Sequence, residues 1–175
     1  MNQESTSQLP PEEAVGSGIT VVDPSSGRSC DSTAQNPLSE VDSLPIVSSG
    51  GQQFSFTITE DHFDPCAPLS WAVLAGGVGT GNSQRQGVVF FRAGRTIADP
   101  APLMEEKVIG VTPLGTDSVK VSYGVLDGPR AAGHSLPGSA VFTLTPEGSL
   151  LISENTLPST ADEAGLQLDV RNLKL

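Results

Sequence analysis

From Gly50 onward one device recurs along this chain: a short stretch of alternating apolar and polar residues, closed by a turn rich in Gly, Pro, Asn or Asp. A side-chain period of two sorts residues onto the two faces of an extended strand, which a helix cannot do. In residues 53–59 the apolar side chains Phe54, Phe56 and Ile58 sit two apart, so one face is expected to be buried and the other wet. Residues 69–74 follow. Gly87-Val88-Val89-Phe90-Phe91-Arg92 is continuously apolar, as expected of a mid-sheet strand covered on both faces. Weaker alternation at 107–111 precedes Val119, Val121 and Tyr123, which share a face with Lys120 and Ser122 opposite. Residues 140–144 and 149–152 flank Thr145-Pro146-Glu147-Gly148, which has hairpin-turn chemistry, and a last strand is expected at 166–170. Loops at 76–82, 99–102 and 127–130 carry the remaining turn residues.

With 19 glycines and 14 prolines in 175 residues, long helices are hard to fit. One short helix is expected near the start. Asn36 suits the N-cap, Pro37 the first helical position, and Leu38, Val41 and Leu44 recur on one face until Pro45 ends the run. About seven strands with hairpin-length links favour an antiparallel sheet over βαβ units. The expected fold class is therefore α+β, mainly antiparallel β: a single twisted sheet of about seven strands with one short N-terminal helix. The expected organisation is a flexible acidic tether at 1–27 and a single β-rich domain at 28–175. From Met1 to Gly50 there are seven acids and one base, Arg28, and too few apolar residues before Gly27 to offset the entropy of ordering. The patch 19–22 is the one candidate strand in the tether.

The formal charge of −11 leaves no basic cluster able to neutralise a run of phosphates, so nucleic-acid binding is not expected. The same excess argues against direct docking on anionic lipid. Residues 1–8 carry neither a basic nor an apolar region of a signal peptide, and no run of about 18 apolar residues occurs. The two cysteines, Cys30 and Cys66, lack CxxC spacing. An even count in a small Gly- and Pro-rich chain suits one disulfide, worth roughly 3–4 kcal/mol in the chain-entropy model. Two unrelated free thiols are the alternative.

Candidate chemistry is sparse. Glu60-Asp61-His62-Phe63-Asp64-Pro65-Cys66 groups metal-ligating residue types, yet His62 and Asp64 share only a strand face, and an oxidised Cys66 cannot ligate. A solvated turn before the disulfide is the expectation, with no metal. Gly76-Gly77-Val78-Gly79-Thr80-Gly81 leads into a strand where a phosphate loop opens a helix, and reads as a hairpin connection. His134 and Ser135 are adjacent and, in a strand, point to opposite faces, so they form no nucleophile–base couple. Glu105-Glu106 reads as a solvated edge, and Trp71 as core packing near the cysteine. Arg85, Arg92 and Arg95 surround the 90–91 strand as a modest candidate anion- or partner-facing patch, with ordinary charge balance in an acidic protein as the default reading.

The run Phe63-Asp64-Pro65-Cys66-Ala67-Pro68-Leu69-Ser70-Trp71, then Thr80-Gly81-Asn82-Ser83 and Val88-Val89-Phe90-Phe91-Arg92-Ala93-Gly94, resembles the LppP/LprE-like lipoproteins of actinobacteria. Asp117-Ser118-Val119-Lys120-Val121-Ser122-Tyr123 and Val141-Phe142-Thr143-Leu144 with Glu147-Gly148 look like that family's later strands, so the resemblance spans roughly residues 60–151. It implies an exported protein, lipid-anchored at a cysteine, with its globular part on the outer side of the cytoplasmic membrane. It implies no enzymatic activity. The sequence shows neither signal peptide nor lipobox, so the expectation is either a start just after the anchor cysteine, which the tether-like residues 1–27 suit, or a protein that is not lipidated.

The expected function is that of a membrane-tethered envelope domain that binds a protein or envelope component without chemistry of its own and without a cofactor. The alternative is a small-molecule or lipid carrier, with a hydrophobic cavity between the sheet and the short helix. A hydrolase using His62 or His134 is the third and weakest reading.

Overall fold

The computed structural model describes residues 22–23, 28–47, 51–79, 84–127, 134–158 and 166–173. The chain divides into two units, Met1–Asp31 and Ser32–Leu175. In the first, β1 (Val22–Asp23) and β2 (Arg28–Ser29) pair as a short antiparallel ladder. Most of the 1–27 tether, including residues 19–21 of its candidate strand, lies outside the described residues.

The second unit is mainly antiparallel β, in two sheets where one was expected. The first uses β3 (Ser43–Pro45), β4 (Gln53–His62), β5 (Ser70–Gly77), β6 (Arg85–Arg92), β8 (Leu103–Glu105) and β13 (Leu166–Gln167), with β7 (Arg95–Thr96) as a short tail on β6. Its order is β13-β8-β6-β5-β4-β3. The sheet curls until its two ends meet at the bridge between Ile46 and Leu168. There the amides of Val47 and Asp169 donate to the carbonyls of Gln167 and Pro45, both at 2.8 Å. The second sheet runs β12-β11-β10-β9, from β9 (Lys107–Pro113), β10 (Ser118–Leu126), β11 (Ser135–Leu144) and β12 (Leu150–Ser153).

The expected helix is a 3-10 turn, Pro37–Glu40, and no α-helix occurs among the described residues. Its start is as read: the Asn36 side chain accepts from the Leu38 amide, and Pro37 opens the turn. Its end is not. Val41 is already extended (φ −132°, ψ 156°), and Ser43–Pro45 pairs with β4 as a strand. Pro45 disfavours helical backbone at Leu44, and three ladder positions against β4 replace one further helical turn. Leu38 and Leu44 still reach the core, from a turn and a strand.

Alternation was the right guide for the strands. Phe54 and Phe56 of β4 face inward, and a bulge at Ile58/Glu60 then turns the tail of the strand out to solvent. Leu38, Leu44, Phe54, Phe56, Leu74 and Phe91 form, with their neighbours, a core inside the curl. Val73, Val88, Phe90, Val121, Tyr123 and Phe142 belong to a second core between the sheets. The run at 87–92 therefore has both faces covered, as its unbroken apolarity predicts. At Gly87 a Cβ would meet the Leu103 carbonyl and the Met104 side chain, so only glycine lets β8 lie against β6. Gln86, next in line, accepts from the Val108 amide at 2.8 Å and pins the second sheet to the first. The expected hairpin at 145–148 is present: Thr145 and Ser149 bond across its base at 2.9 Å.

Candidate binding cavity

Between the two sheets lies an apolar cavity of about 100 Å³. Val88 and Phe90 of β6 form one wall, Tyr123 and Phe142 the facing one, and the 100–102 loop closes one end. The space has a sequence origin. Opposite Val121 and Tyr123, β11 carries Ala140 and Gly138, which leave unfilled room beside larger neighbours. At Gly138 a Cβ would stand 2.8 Å from Leu157 and Pro158, so the missing side chain also lets that segment cross β11 and bring Leu157 to the cavity. The amide side chains of Asn155 and Gln167 are its polar lining, and Ile152 stays 40 % exposed at the mouth.

This cavity is not the one expected between the sheet and the short helix: it lies between the two sheets, while Leu38 and Phe54 beside the turn at 37–40 are buried in the other core. Its walls come from β6, β10, β11 and β12, whose proximity only long-range pairing creates.

Beside this region is a buried polar group that alternation misreads. Glu105 was expected on a solvated edge, yet it is 8 % exposed, because the second sheet covers β8. Burial raises its pKa and the nearby Arg85 guanidinium partly offsets that. Burial, and then the Glu105 charge, hold the Tyr123 phenol far above its ordinary range. Both shifts favour the uncharged forms, as an apolar interior does.

The acidic run before Cys66 builds a turn. The Asp61 carboxylate accepts from the Phe63 amide and from Asn36 Nδ2, each at 3.1 Å. Asp64 accepts from the Cys66 amide at 2.9 Å while its own amide donates to Ser70 Oγ at 3.0 Å. His62 lies 3.4 Å from Glu60 and stacks on Trp71 with ring centroids 5.0 Å apart. Trp71 packs on the inter-sheet core, and its buried Nε1–H has no hydrogen-bond partner among the described residues. Cys30 and Cys66 are joined as a disulfide, which closes a loop containing the turn, β3 and β4. Among the described residues no three His, Cys, Asp or Glu side chains converge to hold a metal.

The three arginines do not form one patch. Arg85 is buried, Arg92 lies against Gly148, and Arg95 is exposed opposite Arg92 at the end of β6. His134 is tied through its carbonyl to the Asp127 amide at 2.9 Å, at the base of the β10–β11 connection. Residues 80–83 of the glycine loop and 128–133 lie outside the described residues; β5 and β6, which the former joins, are antiparallel neighbours.

No match was found among curated proteins or among solved structures. The family model of the LppP/LprE lipoproteins matches residues 61–147, from the Asp61 turn through β5, β6, β10 and β11 to the β11–β12 hairpin. By that match, the chain belongs to the LppP/LprE lipoprotein family.

Proposed function

We propose that this protein is a lipid-anchored domain on the outer side of the cytoplasmic membrane that works by binding, without catalysis, and that the inter-sheet cavity is where it takes hold. Lipoprotein family membership and the disulfide suggest an exported envelope protein, since such bonds persist in oxidising compartments. The observation that carries the binding reading is the cavity itself: apolar walls, two amides, and a partly exposed Ile152 at its mouth. Pockets for whole small molecules usually span ~300–1,000 Å³. At about 100 Å³ this one suits a single apolar group presented by a larger partner.

The test is a photo-crosslinking residue placed at Ile152 in the full-length gene product, in intact cells. Ile152 should give a discrete envelope adduct, and the same residue at Leu114, exposed at the end of β9, should not. Adducts from neither position, or equally from both, would contradict the reading. The apolar lining also favours a second reading, a lipid or small-molecule carrier whose sheets part to enlarge the cavity. Stoichiometric lipid in an organic extract of protein purified from its own membranes would favour the carrier.

A further inference from the structure

Among the described residues β12, which borders the cavity, is an edge strand paired with β11. The β11–β12 ladder pairs Leu144 with Leu150, Thr143 with Leu151, and Phe142 with Ile152. The Leu150 amide donates outward, to the Asp99 carbonyl at 2.9 Å, and the Leu144 amide points the other way, to the Asp117 carbonyl at 2.8 Å. Leu144 and Leu150 are therefore a non-hydrogen-bonded pair, and by the two-residue repeat so are Phe142 and Ile152. Both backbone groups of Ile152 thus project from the sheet, and neither has a hydrogen-bond partner among the described residues. The side chain of the same residue lines the cavity.

We infer that β12 accepts an extended peptide segment at this edge, with one apolar side chain of the segment seated in the inter-sheet cavity. This rests on the binding reading above and names its ligand class. In an antiparallel ladder a residue opposite Ile152 would exchange both backbone hydrogen bonds with it and present its side chain to the cavity face. A backbone donor and acceptor beside an apolar hole are of use to a peptide; an alkyl chain satisfies neither. The charge of −11, with Glu154 exposed beside the edge, favours a neutral or basic segment. The same charge opposes pairing of β12 with a second copy of this acidic chain.

The experiment titrates the isotope-labelled 175-residue protein with capped pentapeptides, lysine–threonine–X–threonine–lysine, and follows backbone amides by NMR. With X leucine, the Ile152 amide should shift and its hydrogen exchange should slow at least tenfold at saturation. Affinity should fall at least tenfold with X glycine, and at least tenfold when the leucine nitrogen is methylated. Ala140→Leu, which fills the cavity, should abolish the leucine preference; Leu151→Ser, on the opposite face of β12, should retain it. The glycine and N-methyl comparisons use the unaltered protein, so misfolding of a variant would not decide the matter. No shifts up to millimolar peptide, shifts remote from Ile152, or concentration-dependent self-association through this edge would overturn the inference. Binding of decanoate in place of the peptides would also overturn it, while leaving the cavity a binding site. Crosslinking at Ile152 in cells tests the parent reading independently.

Discussion

Glu105 is held between the sheets at the expense of its charge, and this sets a pH dependence with a definite sign. A carboxyl whose folded pKa lies above its unfolded value binds its proton more tightly when folded. Its stability cost is absent below the ordinary value of 4.5 and grows as pH rises through the folded pKa. Glu105→Gln should therefore stabilise the protein at neutral pH, by on the order of 1 kcal/mol, and leave it unchanged at pH 4. Urea denaturation at the two pH values checks this; equal effects at both would count against a buried charge. Asp169 acts in a separate window. Its hydrogen bonds from Arg171 lower its pKa to about 2, so what it contributes is full above 3.8 and lost only in stronger acid. The orphaned Nε1–H of Trp71 leads to a second expectation at this scale. Trp71→Phe removes an unsatisfied donor along with some packing, and should cost well under the ~3–5 kcal/mol of a Trp→Ala change, as read by thermal melting. A loss as large as that of Trp71→Ala would show that the nitrogen is used.

At the scale of elements, Gly87 is where the curled sheet is most sensitive. Gly87→Ala puts a methyl group against the Leu103 carbonyl and Met104, and backbone cannot yield as a side-chain tip does. The expected loss is about 3 kcal/mol or more, visible as a lowered denaturation midpoint; an unchanged midpoint would contradict the β6–β8 approach. The strands themselves were legible because each carries its period locally. Phe54 and Phe56 announce a one-sided strand, the 87–92 run a two-sided one, and Pro146 with Gly148 a turn. What local pattern cannot carry is which strands share a sheet. The split into two depends on contacts such as Gln86 to Val108, 22 residues apart, and on closure at Ile46 and Leu168. The helix was misread for a related reason: Leu38, Val41 and Leu44 satisfy a helical stripe, but Leu44 gains a ladder against Phe54 that its own segment does not reveal. The inter-sheet cavity is not legible in any one segment, because four separate strands make its walls. Glu105 was read as wet because a charged residue at a strand end usually is, and only the overlying sheet makes it dry.

For the whole molecule, the disulfide and the two-sheet body are the features that bear on where the protein works. The bond removes freedom from the unfolded chain across the loop from Cys30 to Cys66, and Cys66→Ser should lower stability by roughly 3–4 kcal/mol. Denaturant unfolding of oxidised protein, reduced protein and the variant checks it: the last two should coincide, and a variant as stable as the oxidised protein would contradict a structural role. The apolar cavity and the outward backbone groups of Ile152 are the features on which the proposed recognition surface rests. The central claim is that this surface is displayed outside the cytoplasmic membrane. The most direct measurement is external protease treatment of intact cells making the tagged full-length gene product, with membrane fractionation in parallel. The expected result is a membrane-associated protein whose tag is cleaved from outside and whose cysteines resist alkylation until reduced. A soluble protein, protected from the protease and alkylated at both cysteines, would contradict it.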